Sequence, residues 1–194
     1  MGTTLRAAAA AAAAVLLLVA GCSDDGPSPR DPTSTWSPTG KMETPTSAAP
    51  DPVEPDLPAA AAEASEAGAR AFIGYYWELI NYAQATGDVK ALRSVSASTC
   101  EGCMAGIRGI EKHYKAGGSI VGGTNRIAHL NLTEVTSASG IYAFQGDARV
   151  DHDAQTIVAG DGTQDPRTSG SDKWNLYALW ADNSHWRLDV MELK

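Results

Sequence analysis

Apolar residues recur at helical spacing in the segment that follows residue 63. Phe72, Tyr76, Leu79 and Ala83 form one continuous stripe, because each lies three or four residues from the next. Gly87 ends the pattern, since glycine commonly terminates a helix in the left-handed conformation. The same reasoning predicts two further helices, a short one over 88–93 and a longer one over 100–116.

The apolar period changes to two in the second half of the same segment. Alternating runs predict strands around 127–132, 142–150, 174–180 and 186–190, and the polar residues between the last two have the length of a hairpin link. Helices followed by antiparallel strands indicate an α+β fold, in which the N-terminal helices pack on one face of a curved antiparallel sheet. A sheet that wraps around the first helix as a cone is the preferred version, and a cystatin-like sheet around a single helix is the alternative.

The N-terminal residues have the pattern of an export signal. Arg6 precedes an uncharged apolar run over 7–20, which is short for a transmembrane helix and typical of a signal peptide. The run ends in Val19-Ala20-Gly21-Cys22, which resembles the lipobox of bacterial lipoproteins. The resemblance implies a lipoprotein signal peptide over 1–21, a lipid on Cys22 and an extracytoplasmic position on the outer face of the cell membrane.

The segment over 22–62 has the composition of a disordered linker. Nine of the ten prolines of the chain lie between Pro27 and Pro58, among Ser, Thr, Asp and Ala. Such a sequence buries too little apolar surface to offset the entropy lost on ordering. We therefore predict a lipid-anchored linker over 22–62, which serves as a spacer or as a passive tail, and one folded domain over 63–194.

The net charge limits the partners of the domain. The chain carries a formal charge of −8 and contains no run of three basic residues. Because phosphate binding needs clustered Lys and Arg, nucleic acid is not an expected partner. An acidic surface also gains nothing from anionic lipids, so membrane contact is expected through the lipid on Cys22. The sequence predicts no cofactor and no metal site.

Cys100 and Cys103 are the thiols that remain once Cys22 carries its lipid. A C-x-x-C pair outside the cytosol is expected to form a disulfide. One interpretation is a redox pair, because a helix N-terminus stabilises a thiolate, although the charge of Glu101 opposes this effect. The other interpretation is a structural clip at the entry to the third helix, which stabilises the fold by about 2 kcal/mol because its loop is short.

Histidine and acidic residues in the predicted strands are the candidates for acid–base chemistry. His129 lies in the middle of a predicted strand, on the same face as Ile127. It is able to act as a catalytic acid or base only if that face lines a cavity. Asp151, His152 and Asp153 alternate in direction along a strand, so we expect surface charge there rather than a metal site or an acid–base pair. No residue is assigned a catalytic role.

The aromatic residues of the domain are the leading candidates for a binding pocket. A curved sheet around a helix leaves a mouth where aromatic rings line an apolar pocket. The alternatives are plain core packing and a homodimer formed through open sheet faces. The residues proposed for the pocket, together with His129, are Tyr75, Tyr76, Trp77, Trp174, Trp180 and Trp186.

Several short strings together resemble a family of actinobacterial lipoproteins of unknown function. They include Tyr75-Tyr76, Asn81-Tyr82-Ala83, Thr86-Gly87-Asp88, Cys100-Glu101-Gly102-Cys103 and Gly117-Gly118. The resemblance implies a cell-surface protein with a fold of the NTF2-like (nuclear transport factor 2-like) superfamily, and it brings no known activity. The predicted function is a non-enzymatic module that binds an apolar small molecule or an envelope protein. An NTF2-like pocket enzyme using His129 and a thiol–disulfide redox protein using Cys100 and Cys103 are the alternatives.

Overall fold

The structure is a computed structural model, and it describes residues 51–136, 141–182 and 184–194. The predicted signal peptide, Cys22 and the linker up to residue 50 lie outside the described residues. The described residues belong to one unit with its own core. The helices are α1 (Glu66–Thr86), α2 (Lys90–Ser94) and α3 (Glu101–Lys115), preceded by a short 3-10 helix over Ala59–Ala62. The strands are β1 (Ser119–Gly122), β2 (Asn125–Thr136), β3 (Tyr142–His152), β4 (Gln155–Val158), β5 (Gln164–Arg167), β6 (Gly170–Ala181) and β7 (His185–Leu193).

Local side-chain chemistry sets the ends of α1. Ser65 is its N-cap, and the Ser65 hydroxyl oxygen accepts a hydrogen bond from the Gly68 amide at 3.0 Å. Gly87 at the C-cap has a φ of 78°, the left-handed conformation predicted for this helix stop. The Asp88 carboxylate then accepts the Lys90 amide at 2.9 Å where α2 begins. No helix in the described part of the chain is long and apolar enough to cross a membrane.

The strands form two antiparallel sheets, and together with the helices they confirm an α+β fold. The larger sheet has the order β2-β3-β6-β7, and the smaller has the order β1-β4-β5. Neither set of described strands closes into a barrel. In both sheets every neighbouring pair is antiparallel, as the predicted succession of strands requires.

The chain passes directly from the small sheet to the large sheet at a bend. β1 continues into β2 through Gly122 and Gly123, whose φ angles of 75° and 80° favour glycine over any residue with a side chain. The Gly123 amide donates to the Ala154 carbonyl at 3.0 Å, and the Asp153 amide donates to the Thr124 carbonyl at 3.1 Å. These two bonds carry the strand pairing through the bend, so the two sheets continue into each other.

A β-bulge at Ala128 changes the direction of a side chain in β2. The pairing with β3 shifts from Ile127 opposite Val150 to His129 opposite Arg149. The extra residue turns Ile127 toward the core and leaves His129 exposed. Strict alternation places Ile127 and His129 on one face, and that prediction was wrong because of the bulge.

The core lies between α1 and the inner face of the large sheet. Phe72, Ile73 and Leu79 of α1 and Leu176 and Leu188 of the sheet each have at most 1% of their surface exposed. Burial of side chains of this size contributes about 1.5–3 kcal/mol each. The packing of the helix on the sheet therefore stabilises the fold substantially.

The folded part of the chain begins before residue 63. Ala61 has 2% of its surface exposed and joins the core. The indole N–H of Trp186 donates to the Glu63 carbonyl at 3.0 Å. Residues Ala59–Ala62, which the sequence assigns to the linker, thus form a 3-10 helix that packs on the domain.

Candidate ligand-binding cavity

A cavity of about 750 Å³ lies between α1, α3 and the bend of the sheet. Its volume falls within the range of about 300–1,000 Å³ that is common for small-molecule sites. Ile120 and Ile157 of the small sheet and Trp174 and Met191 of the large sheet all line it. Because both sheets contribute, the bend is what forms this space.

The inner wall of the cavity is apolar and aromatic. Trp77 of α1 and Trp174 of β6 meet edge to face, with ring centroids 5.6 Å apart. Ile107 of α3, which is completely buried, and the half-buried Ile110 line the same space. Such a wall favours the binding of an apolar molecule, because binding removes the apolar surfaces of both the wall and the molecule from water.

Three glycines of α3 also line the cavity, namely Gly102, Gly106 and Gly109. A Cβ at Gly102 would collide with the Met191 carbonyl oxygen, so this glycine allows α3 to approach β7 closely. A Cβ at Gly106 or Gly109 would meet nothing within 4 Å. The open volume therefore exists partly because α3 lacks side chains at these two positions.

Charged side chains occupy the more exposed side of the cavity, which is its mouth. The Arg126 guanidinium binds both carboxylate oxygens of Asp153, at 2.8 and 2.5 Å, and these hydrogen bonds lower the pKa of Asp153. Arg167 donates twice to Asp165, at 3.0 and 2.6 Å, and lowers the pKa of that carboxyl in the same way. Both pairs are solvent-exposed, so they position side chains at the mouth more than they stabilise the fold.

His152 and Asp172 form a third and looser pair at the mouth. His152 Nε2 lies 3.6 Å from Asp172 Oδ2, which is longer than a direct hydrogen bond. Both residues line the cavity, with 30% and 46% of their side chains exposed. The register explains the pairing, because Asp172 lies opposite Val150 and His152 lies opposite Gly170. Gly170 leaves room for the imidazole, since a Cβ there would lie 2.9 Å from His152 Nε2.

Tyr76 lines the cavity and anchors α1 to the segment after α2. Its hydroxyl lies 2.8 Å from Ser96 Oγ, and the Ser96 hydroxyl donates to the Leu92 carbonyl at 2.8 Å. Because serine has one hydroxyl proton, Tyr76 is the donor to Ser96. Burial raises the pKa of Tyr76 to about 12. The phenol is therefore a structural donor at neutral pH.

The predicted disulfide between Cys100 and Cys103 is confirmed, and it lies at the start of α3. Cys100 is the N-cap, and its sulfur accepts a hydrogen bond from the Cys103 amide at 3.2 Å. The two residues have 2% and 3% of their surface exposed. An attacking thiolate has little access to these sulfur atoms in the folded protein, which favours the structural clip over the redox pair.

The aromatic residues predicted for the pocket do not all lie at one place in the structure. Tyr76, Trp77 and Trp174 line the cavity. Trp180 and Trp186 pack edge to face at 5.1 Å further along the sheet, where Trp186 also contacts three other rings of the core. Tyr75 is buried on α1 and does not line the cavity.

His129 and Asp151 lie on the outer face of the large sheet. His129 is exposed opposite Arg149, in a shallow depression that also includes Lys173. Asp151 forms an ion pair with Arg149 at 3.9 Å. Neither residue lines the cavity at the bend. The described residues contain no group of three His, Cys, Asp or Glu side chains that is able to hold a metal ion.

Asp172 is a residue of the mouth that the sequence interpretation did not name, and His152 is one that it assigned to surface charge alone. Their signal was present in the alternation of the two strands. His152 continues the inward face that ends with Val150, and Asp172 continues the inward face that begins with Trp174. A polar residue at the end of an inward-facing series marks the point where a core opens to solvent.

Comparisons with known proteins show one family and weak structural similarities. No curated protein matches the chain in sequence. The intermembrane space region of the chloroplast protein ARC6 is 13% identical with a TM-score of 0.46, and the match covers 64% of this chain and 95% of that one. A periplasmic fragment of TraM is 12% identical with a TM-score of 0.25, and the match covers 63% of this chain and 82% of that one. Residues 38–192 match a family model, so the chain belongs to the family of unknown function DUF6318.

Proposed function

We propose that this domain binds a small apolar molecule in the cavity between α1, α3 and the bend of the sheet. The observation that carries the proposal is the cavity of about 750 Å³, with an aromatic inner wall and charged groups at its mouth. Small-molecule sites have this composition, because an apolar lining provides affinity and a few polar groups fix orientation. The domain holds its ligand without changing it.

The domain is held outside the cytoplasm by a lipid on Cys22. The apolar run over 7–20 and the string Val19-Ala20-Gly21-Cys22 support this anchor. The Cys100–Cys103 disulfide supports an oxidising compartment, where such bonds form and persist. A linker over 22–58, which ends where the Ala59–Ala62 helix packs on the domain, would reach roughly 110 Å if fully extended at about 3.1 Å per residue, which is enough to lift the domain through a wall layer.

The fold that we propose for the domain is the cone of the NTF2-like superfamily. Two features support it. α1 packs on the inner face of the large sheet, and the strand pairing continues through the bend at Gly122 and Gly123. A sheet bent in this way surrounds one end of the long helix and leaves the cavity there.

A binding role is favoured over the two enzymatic alternatives. His129 lies outside the cavity, in an exposed depression on the outer face of the sheet, so the cavity lacks the histidine on which the pocket enzyme depends. Cys100 and Cys103 have 2% and 3% of their surface exposed, so a partner thiol has little access to the disulfide in the folded state.

Native mass spectrometry of the exported protein, purified from its own cells without added ligand, tests the proposal. We expect the mass of one small molecule in addition to that of the protein, and we expect this mass to disappear on denaturation. A bare protein that also takes up none of a panel of small apolar compounds would contradict the proposal.

A further inference from the structure

We infer that the molecule held in this cavity carries a hydroxyl group, and that this group binds between His152 and Asp172. The inference rests on the proposed function, because it concerns the ligand of the same cavity. His152 Nε2 and Asp172 Oδ2 lie 3.6 Å apart at the mouth. This gap is too long for a direct hydrogen bond, and it allows one oxygen atom to lie about 2.8 Å from both atoms.

The polarity of the two atoms selects the ligand group. The Asp172 carboxylate only accepts hydrogen bonds, and its charge favours the proton on the His152 nitrogen that faces it. An oxygen in the gap therefore accepts from the imidazole and donates to the carboxylate. A hydroxyl does both with one atom, whereas an ether oxygen has no proton to donate. A ligand carboxylate would be repelled by Asp172, and an ammonium group has no lone pair for the imidazole.

The other titratable side chains that line the mouth already have partners. Asp153 is held by Arg126 through two hydrogen bonds. Arg167 donates twice to Asp165. His113 Nε2 lies 3.1 Å from the Ser119 carbonyl oxygen. These groups compete little for a polar group of the ligand, so among the titratable side chains of the mouth the His152–Asp172 gap is the place for it.

Apolar surface begins next to this gap. Asp172 is two residues from Trp174 on the same face of β6, and Trp174 contacts Trp77. His152 is two residues from Val150, which has 1% of its surface exposed. The ligand class that fits is an apolar molecule, with its body against the tryptophans and one hydroxyl at its solvent-facing end.

A matched pair of probes tests the inference. The probes are 2-naphthol and 2-methoxynaphthalene, which share one ring system and differ in the hydroxyl proton. Calorimetric titration uses residues 23–194, which keep the whole described unit and its core. We expect the naphthol to bind about tenfold more tightly than the ether, since it makes one additional hydrogen bond to a charged group.

Four variants locate the source of this preference. His152→Phe and Asp172→Ala are expected to bring the ratio of the two affinities to about one while the ether still binds. His129→Phe and Asp151→Ala, which change the outer face of the same sheet, are the matched controls and should keep the tenfold ratio. Because the readout is a ratio within each protein, a general loss of stability does not imitate the result.

The remaining outcomes overturn either the hydroxyl inference or the proposed function. Equal affinity of the wild-type protein for the two probes contradicts the hydroxyl inference and leaves the proposed function in place. A preference that survives in both His152→Phe and Asp172→Ala contradicts the inference as well, because the hydroxyl is then recognised elsewhere. Binding of neither probe contradicts the proposed function itself, and the inference falls with it.

Discussion

The indole rings of Trp77 and Trp174 meet edge to face at 5.6 Å, and this contact joins the long helix to the sheet at the wall of the cavity. Trp77 is 4% exposed, and its indole N–H has no hydrogen-bond partner among the described residues. The contact therefore rests on ring packing alone. A ligand in the cavity changes the surroundings of both rings, so tryptophan emission is a direct reporter of occupancy.

The glycines of α3 predict opposite effects on stability. Gly106→Ala is expected to raise the free energy of unfolding by about 0.5–1 kcal/mol, because alanine is the better helix former. The Cβ atom of an alanine at position 106 would meet nothing within 4 Å. Gly102→Ala is expected to lower the same quantity by about 1–3 kcal/mol, since the methyl group collides with the Met191 backbone.

Urea unfolding measures both changes. Gly74→Ala in α1 is the matched control for the gain, because a Cβ there also meets nothing within 4 Å and Gly74 lies outside the cavity. A gain of stability in Gly102→Ala would show that α3 does not approach β7 in the way described.

Tyr76 predicts a loss of stability in alkaline solution. Burial raises its pKa from 10.0 to about 12, so the folded state holds the phenol proton more tightly than the unfolded state does. The resulting stability is fully present below the unfolded pKa and disappears as the pH rises through the folded pKa. Over this window the free energy of unfolding is expected to fall by about 2–3 kcal/mol.

Urea unfolding between about pH 8 and about pH 12 follows this loss. Tyr76→Phe is expected to be less stable at the lower pH, because Ser96 loses its hydrogen-bond donor. The same variant should show a shallower decline above the unfolded pKa. If its decline matches that of the wild type, the alkaline loss does not come from Tyr76.

The Cys100–Cys103 bridge predicts a modest structural contribution. Replacement of both cysteines by serine is expected to reduce the free energy of unfolding by about 2 kcal/mol, the low end for a short loop. In the folded wild type, alkylation after a mild reductant should label neither thiol, because both residues are buried. Rapid labelling without denaturant would favour the redox interpretation.

The helices and the order of the strands were predictable because each rests on a local signal. Gly87 ended α1 as expected, since a left-handed C-cap favours glycine wherever it occurs. The short spacing of Cys100 and Cys103 was enough to predict their bond in an oxidising compartment. The period-two runs gave β3 and β6 their inward faces, because alternation in a paired strand needs no knowledge of its partner. In β7 the prediction held for Trp186 and Leu188 and was wrong for Val190, because a register shift places Val190 opposite Tyr177 and turns Met191 toward the core.

The cavity was not predictable in detail, because its residues meet through long-range register. The bulge at Ala128 reversed the expected face of Ile127, and a bulge leaves no clear mark in the sequence. His152 and Asp172 come together because β3 and β6 pair with Val150 opposite Asp172. The alternation of side chains along β3 places His152 on the opposite face from Asp151 and Asp153. It does not show which residue of another strand lies beside His152.

The most direct test of the proposed binding function is calorimetry in which 2-methoxynaphthalene is titrated into each of three proteins. These are the wild type, Gly106→Leu and Gly74→Leu. The two variants make the same substitution inside a helix, and only Gly106 lines the cavity. We predict one-to-one binding by the wild type and by Gly74→Leu, and binding about tenfold weaker by Gly106→Leu, whose side chain occupies the space beside α3. Equal binding by all three proteins, or no binding by the wild type, would contradict the claim that this cavity is a site for apolar molecules.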